Sequence, residues 1–465
     1  MRILIHGINF HPEAVGTGKY TSEMANWLVT RGHEVRVVTA PSHNPEWRVS
    51  PGYRSWRYEW QQSTLLEKSA PKSAPTIGFP FPSQANSMEV CRCPTWVPRN
   101  PNGLKRLLYL ASFMTSSLPV MLWQTRWHPG VVLVVAPTLF CAPQALLVAR
   151  WSGGRAWLHV QDFEVDAAFA LGDISFPHLR RWALAIERHL LSAFDRVSTI
   201  SERMVDHLAR KEVDSSRCLL FPNWVDTSLI HPLPYASPLR TQLGIPERTI
   251  VALYAGNMGQ KQGLDLLTDV ARRLSHRSDL RFVFCGAGSY RRTLLADVEH
   301  LPNVTLLPLQ PSERLNDLLN LADIHLLPQR ADAADLVMPS KLTGMLASGR
   351  AVLATAHPNT QLASTLQGLG IVVPPGDRDA FASAILDLAA DRNLRLMLGR
   401  EARRYALMHL DSLVILDQFE QSLLALCGIS ERCNNDGQIR VGANETLPPD
   451  SRTSFGDPPT CKPCV

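Results

Sequence analysis

Near the three-quarter point of the chain, a proline, a serine, a lysine and two glycines stand in an order that could hold an anion. Met338-Pro339-Ser340-Lys341 runs into Leu342-Thr343-Gly344-Met345-Leu346-Ala347-Ser348-Gly349, and the apolar Ala351-Val352-Leu353-Ala354 follows. Proline is tolerated in a first helical turn, Ser and Thr satisfy free N–H groups there, and Gly349 suits a helix end. The start of such a helix offers N–H donors and a partial positive charge, and Lys341 adds a full one. The fitting guest is a diphosphate; the plain alternative is an ordinary α/β helix with a surface lysine. Three more glycine turns follow apolar runs: Gly16-Thr17-Gly18 with Lys19, Gly256-Asn257-Met258-Gly259-Gln260-Lys261-Gln262-Gly263, and Gly286-Ala287-Gly288. No Walker pattern is present, and the first turn lacks a full dinucleotide fingerprint.

A second group of reactive types follows another apolar run directly: His159, Asp162, Glu164 and Asp166. An imidazole or carboxylate there could orient or deprotonate a substrate hydroxyl. For the histidine, a structural hydrogen bond is the alternative. Asp162 and His159 are therefore the catalytic candidates, while Glu164, Asp166 and the first-loop Glu13, with His11 beside it, are candidate substrate contacts. Trp47 and Trp96 could stack on a ring of the substrate.

The elements that must position these residues alternate. Arg2–Gly7, Glu34–Thr39, Val131–Ala136, Ala156–Val160 and Arg196–Ile200 read as strands, and Gly18–Arg31 has helical apolar spacing. After the Pro-rich His231–Pro238, the pattern restarts with strands at Thr249–Ala255, Arg281–Cys285, Val304–Leu307, Ile324–Leu327, Ala351–Thr355 and Gly370–Val373. Alternating β and α runs make βαβ units and parallel sheets. The expected class is thus α/β, with two doubly wound Rossmann-like domains facing a central cleft lined by strand C-terminal ends. The boundary falls near residues 230–238, giving domains at 1–232 and 233–410, with a closing helix at 411–428. Residues 61–88 lack periodicity and read as a mobile insertion, and 429–465 as a disordered tail.

Composition excludes several classes. The 465 residues exceed one ordinary core, and 45% hydrophobic with 19% charged content describes a globular chain. The net charge of +5 comes without any basic run resembling a nucleic-acid arm. No secretory signal is read at Met1–Gly7, and the nine scattered cysteines lack zinc-type pairing, which suits a reducing cytoplasm. The uncharged Leu107–Trp123, flanked by Lys105-Arg106 and Arg126, is short for a membrane span. It reads either as an internal helix of the first domain or as an interfacial helix suited to peripheral membrane docking.

Taken together and in order, these motifs resemble the family 4 glycosyltransferases of GT-B fold over roughly residues 1 to 425. The resemblance rests on Gly16–Gly18, Arg31-Gly32-His33-Glu34-Val35, Thr199-Ile200-Ser201-Glu202, Phe221-Pro222-Asn223-Trp224-Val225-Asp226, the turns at 256–263 and 286–288, and Pro339-Ser340-Lys341. Gly7–Glu13, Pro137–Pro143 and His159–Asp166 are most similar to colanic-acid-type exopolysaccharide enzymes within that family.

The resemblance implies a retaining, metal-independent transfer from a nucleotide-diphosphate sugar to a saccharide acceptor, here a polyprenyl-diphosphate-linked one, with no cofactor. It places the nucleotide in the C-terminal domain and the acceptor in the N-terminal one. The expected location is the cytoplasm, with peripheral contact on the inner face of the cell membrane if the Leu107–Trp123 helix is interfacial. No nucleic acid is an expected partner. The diphosphate contacts would be Gly16, Gly18, Asn257, Lys261, Ser340 and Lys341, with Gly286, Gly288, Asp332 and Asp335 near the donor sugar or nucleotide. Relatives commonly carry two glutamates eight positions apart where this chain has Leu336 and Gly344, and an Arg and a Lys in the second glycine turn, where it has Asn257 and a shifted Lys261. Two rival readings remain at this stage, a nucleotide-sugar epimerase of the same fold and a catalytically silent subunit of a glycosyltransferase complex.

Overall fold

Ile3, Leu4, Ile5 and Val131–Val134 are apolar on both faces and wholly buried, as strands covered by helices on two sides must be. The computed structural model describes residues 1–13, 16–44, 46–64, 87–99, 103–136, 139–163, 177–259, 262–330 and 339–429. The first sheet comprises β1 (Arg2–Gly7), β2 (Glu34–Thr39), β3 (Glu59–Thr64), β4 (Ser87–Arg92), β5 (Val131–Ala136), β6 (Arg155–Val160), β7 (Arg196–Thr199) and β8 (Cys218–Leu220), in the order β3-β4-β2-β1-β5-β6-β7-β8. Its pairings are parallel except for antiparallel β3–β4. The second sheet holds β9 (Ile250–Ala255), β10 (Leu280–Cys285), β11 (Val304–Leu307), β12 (Ile324–Leu327), β13 (Ala351–Thr355) and β14 (Gly370–Val373), all parallel, in the order β11-β10-β9-β12-β13-β14. The chain thus forms two doubly wound α/β domains.

In each sheet the order reverses beside the first strand, between β1 and β5 and between β9 and β12. Ligands of open parallel sheets bind at such switch points, outside the strand C-termini. These are the loop after Gly7 and the turn after Ala255.

The expected strands stand within a residue of their read limits, and β3, β4 and β8 are additional. Expecting an insertion from residue 61 to 88 needs correction at both ends. Gln61–Thr64 and Ser87–Met88 lie in the β3–β4 antiparallel pair, where Gln61 faces Val90 and Thr64 faces Ser87. Met88 and Val90 are buried on one face of β4, an alternation too short to stand out beside the Ser- and Pro-rich run. Residues 65–86, and the tail beyond Ile429, lie outside the described residues.

Between β8 and β9 the chain crosses to the second domain, and between residues 409 and 412 it crosses back. The two crossings are laced together: Val225 N–H donates to Leu410 O (2.8 Å) and Ser412 N–H to Val225 O (3.0 Å). Arg403 donates to the carbonyls of Thr227, Ile230 and Ala347. The helix Ser412–Leu426 then packs on the first sheet, with Phe419 stacked on Phe221 at 4.3 Å and edge-on to Trp157 at 5.1 Å. Its buried Glu420 accepts from Trp27 Nε1 (3.1 Å), Arg31 Nε (2.8 Å) and His33 Nε2 (3.0 Å). Two of the motif runs therefore explain themselves structurally: Arg31-Gly32-His33 anchors the returning helix, and Phe221–Asp226 is the crossing.

Candidate active site

The corner expected to hold the donor is built from three turns of the second domain. Gly286, at φ +151°, lies so close to the β9 turn that a Cβ there would sit 1.9 Å from Gly256 O. A Cβ on Gly288 would meet Met258 O at 2.4 Å. Backbone bonds zip the two turns together: Met258 N–H donates to Ala287 O and Tyr290 N–H to Met258 O, both 2.8 Å. Gly286 and Gly288, expected to contact donor sugar or nucleotide, are thus placed where they let the second glycine turn close against the third. Asn257 is exposed on that turn.

Lys341 reaches into this corner. Its aliphatic stem passes Gly256, whose Cβ would stand 3.5 Å from Cδ. Its Nζ donates to Tyr254 Oη (3.2 Å) and Gln262 Oε1 (3.3 Å) and lies 4.3 Å from the Tyr254 ring centroid. The Tyr254 hydroxyl donates in turn to Asn257 O at 2.6 Å. Among the described residues no carboxylate pairs with this ammonium, and desolvation brings its pKa from the ordinary lysine value down to about 7. A half-buried cation without a counter-ion is costly to maintain, and such perturbed groups in clefts mark ligand sites.

The helix behind Lys341 corrects the electrostatic expectation. Lys341–Ala347 is seven residues long, and the Ser340 side chain makes no capping bond. Its field is that of two turns, so the useful positive charge is the ammonium. Ser340 is exposed, and its carbonyl accepts from Thr343 Oγ1 (2.9 Å). At Gly344 a Cβ would meet Leu319 Cδ1 at 3.2 Å with no other atom within 4 Å. Lys261, Asp332 and Asp335, together with Leu336, lie outside the described residues.

Across the cleft, the helix Gly16–Thr30 opens at Gly16 with φ +59°. Tyr20, in its second turn, lies close to Thr343 of the Lys341 helix, and its ring meets Trp224 edge-on at 5.1 Å. The Gly16–Gly18 turn therefore stands beside the Lys341 corner. Gly18 serves close packing: a Cβ there would lie 2.7 Å from Glu13 Cβ. Glu13 itself is buried, accepting from Asn9 Nδ2 (2.9 Å) and from the backbone N–H groups of His43 (2.9 Å) and Asn44 (3.1 Å). Expected as a substrate contact, it is instead the internal clamp of the first loop. His11 is likewise engaged through its backbone, accepting from Arg92 and donating to Ser22 Oγ.

His159 also needs correction. It is 2% exposed, Nδ1 is 2.9 Å from Ser198 Oγ, and Nε2 accepts from Gln161 Nε2 at 2.9 Å. Ser198 Oγ further accepts from Trp157 Nε1 (2.9 Å), and Gln161 donates to Asn223 Oδ1 (3.2 Å). Burial lowers the imidazole pKa to about 3, so the ring is neutral and knits β6 to β7 and to the crossing. The next acid behaves differently. Asp162 is half-buried just past the end of β6, and desolvation raises its pKa to about 7, opposed by the nearby Arg106 charge. A carboxyl poised near neutrality at a strand C-terminus can exchange or share a proton. Glu164 and Asp166 lie outside the described residues. Trp47 packs edge-on against Tyr109 (5.3 Å), whereas Trp96 is 47% exposed.

Two contributors escaped the sequence reading. Tyr254 reads as one more buried strand residue, and only its place under the Lys341 ammonium reveals a role. Tyr20 carries no signal beyond following Gly16–Gly18.

Comparison with known proteins agrees with this geometry. Residues 15–224 match the glycosyl transferase 4-like domain, and residues 249–391 the glycosyl transferases group 1 domain. The chain is 38% identical over 90% of its length, and 98% of the relative's, to WcaI of Escherichia coli K12, named for a glycosyl transferase of colanic acid biosynthesis. A D-inositol 3-phosphate glycosyltransferase of Streptomyces avermitilis shares 26% identity over 55% of this chain and 58% of the relative. Among solved structures, sucrose-phosphate synthase of Thermosynechococcus elongatus superimposes with a TM-score of 0.69 at 15% identity, covering 92% of this chain and 99% of its own. Anabaena HepE, solved with UDP, does so with a TM-score of 0.63 at 15% identity, covering 91% and 100%. Two doubly wound domains, the two family domains and a relative matched over 98% of its length converge on one assignment. The chain belongs to the family 4 glycosyltransferases of GT-B fold, in the group of colanic-acid-type exopolysaccharide biosynthesis.

Proposed function

We propose that this glycosyltransferase moves a sugar from a nucleotide-diphosphate donor, held by the second domain, to a polyprenyl-diphosphate-linked saccharide held by the first. Transfer retains configuration and needs neither metal nor cofactor. The observation that carries the reading is the Lys341 ammonium, which lacks a carboxylate among the described residues and lies against Gly256 and Tyr254 at the β9 switch point. HepE has been solved with UDP and with UDP-glucose, which supports a nucleotide sugar as the guest here too.

As the bond between the anomeric carbon and the diphosphate oxygen breaks, the bonding pair stays with that oxygen and its negative charge grows. A cation fixed there beforehand lowers the barrier. In a retaining transfer the acceptor oxygen adds on the face the diphosphate leaves, so a diphosphate oxygen can take the hydroxyl proton. Asp162 orients that hydroxyl through its carboxyl. The enzyme works on the cytoplasmic side, in peripheral contact with the inner face of the cell membrane, where a lipid-linked acceptor presents its head group.

The test is thermal melting with UDP-, GDP- and dTDP-sugars, since a ligand binding only the native state at 100 times its Kd stabilises it by about 2.7 kcal/mol. One nucleotide series should raise the melting temperature of the wild type and not of Lys341→Met. A wild type indifferent to every nucleotide sugar overturns the donor assignment. Transfer of radiolabel from the responsive donor into a lipid-extractable product then checks the acceptor class.

A further inference from the structure

We propose that Tyr254 is a positioning residue for the donor diphosphate, its hydroxyl tying the Lys341 ammonium to the second glycine turn so that both meet the anion as one rigid unit; this deepens the donor reading above and rests on it. Tyr254 is the next-to-last residue of β9 and wholly buried. Its partner in register on β10 is Phe284, equally buried in the same apolar core. A bare phenyl ring therefore serves for packing in this layer, and a buried hydroxyl is costly unless it is hydrogen-bonded. At position 254 both of its hydrogen-bonding roles are taken. The hydroxyl donates to Asn257 O at 2.6 Å and accepts from Lys341 Nζ at 3.2 Å.

The direction of this chain is fixed. A carbonyl oxygen only accepts, so the single phenolic proton is committed to Asn257 and the oxygen meets the ammonium only as an acceptor. Hydrogen bonds in series polarise one another, which strengthens both. The chain joins three parts of the corner. Lys341 opens the helix Lys341–Ala347, and Asn257 stands in the turn after β9. The next residue, Met258, is bonded to the third turn through Ala287 O and Tyr290 N–H.

The phenol also suits the task by charge. Among the described residues the ammonium's hydrogen-bond partners are Tyr254 from β9 and Gln262 from the turn that follows, and only the first is titratable. Neither β9 nor the helix Lys341–Ala347 contains another charged residue. The charged groups on the neighbouring elements are Arg330, packed against Gly263, and Lys19, over the Tyr20 ring; Lys261 lies outside the described residues. Burial raises the phenol's pKa above the ordinary tyrosine value, so the hydroxyl stays neutral. A neutral acceptor holds the cation without cancelling it, and the ring face 4.3 Å from Nζ adds attraction. With two of its three N–H bonds directed by Tyr254 and Gln262, the ammonium has its third in a set direction.

The experiment titrates Lys341 in the free enzyme by NMR of isotopically labelled lysine side chains, its signal identified by its loss from Lys341→Met. Tyr254→Phe keeps the ring and removes the oxygen. Losing an acceptor disfavours the charged form, so the midpoint should fall below the wild-type value of about 7. Calorimetry with UDP-glucose, GDP-mannose and dTDP-glucose follows. The donor that binds should bind Tyr254→Phe about tenfold more weakly at pH 8, with greater proton uptake at pH 7. That loss should narrow toward pH 5.5, as the ammonium becomes charged in both proteins. In the Lys341→Met background, with no ammonium to hold, the same change should cost less than about twofold. An unchanged midpoint overturns the proposal. So does an undiminished loss in the Lys341→Met background, which assigns the hydroxyl to the turn alone. A wild type indifferent to all three nucleotide sugars strikes the donor assignment, whereas the titration needs no donor and reads the hold on the ammonium by itself.

Discussion

Replacing Lys341 by methionine keeps the stem that packs on Gly256 and removes the ammonium. In the free enzyme that ammonium titrates at about 7 because burial disfavours its charge, so at pH 8.5 only about 3% of molecules carry it. A nucleotide sugar, whose diphosphate diester is ionised throughout this range, binds the charged form. Binding must therefore take up a proton, about half of one at pH 7 and nearly one at pH 9, and Kd should rise roughly 50-fold across those two units. Loss of one hydrogen bond to a charged group is worth ~1.5–3 kcal/mol, so Lys341→Met should bind roughly 10- to 150-fold more weakly at pH 7.

Titration calorimetry in two buffers of different ionisation enthalpy reads the proton uptake directly. The sign on stability is opposite to that on binding. The unfolded lysine keeps its proton up to its ordinary value, so between about 7 and 10.5 the unfolded chain holds more protons and the free wild type gains stability from this group as pH rises. The methionine variant should lack that rise. A variant that binds donor as tightly as the wild type, with the same dependence on pH, refutes the assignment of Lys341 to the diphosphate.

Four other outcomes are expected. With the Asp162 carboxyl raised to about 7, kcat/KM should fall on an acidic limb near that pH; Asp162→Asn should abolish the limb and lower turnover by about 10². Gly286→Ala places a Cβ 1.9 Å from Gly256 O at a φ of +151°, and should cost at least ~3 kcal/mol in chemical denaturation together with the donor-induced thermal shift. Glu420→Ala strands donors on Trp27, Arg31 and His33, and should destabilise the fold by ~2–4 kcal/mol, read as an earlier urea midpoint. Gly344→Glu sets a carboxylate one helical turn from Lys341, and should weaken donor binding while removing the proton uptake seen in calorimetry.

How far the sequence reveals this differs by element. Strands buried on both faces, such as β1, β5 and β9, are largely apolar runs with a glycine at one limit (Gly7, Gly130 and Gly256), and their limits are readable to within a residue. The edge pair β3–β4 was not, because Glu59–Thr64 is mostly polar and its partner adjoins a Ser- and Pro-rich run. Within the site, residue type was a good guide to which segments face the cleft and a poor one to which side chains do. His159 near the end of β6 and Glu13 in the loop after β1 stand in segments that face the cleft, yet both are buried and take their hydrogen bonds within the loop and sheet. Only coordinates show that Gly286 and Gly288 are required by another turn's backbone, because the contact joins segments some thirty residues apart.

The missing glutamate at Gly344 now has a physical reading that links it to Lys341. On a helix, positions three apart are neighbours, and opposite charges there pair. A carboxylate at 344 would hold the Lys341 ammonium and restore its ordinary pKa, leaving less of its field for a diphosphate. With glycine there, the ammonium's hydrogen-bond partners among the described residues are Tyr254 and Gln262. Neither of these partners carries charge, so neither competes with an anion. Asp162, on the other domain, is the mirror case: exclusion of water pushes an acid up to about 7 as it pulls the lysine down to about 7. Near neutrality both groups of the empty cleft are therefore only partly charged, which limits the cost of holding them out of water. If the diphosphate binds at Lys341 as proposed, its arrival should fix the proton on that ammonium and supply a counter-charge, so this corner would become fully charged only when there is a leaving group to stabilise.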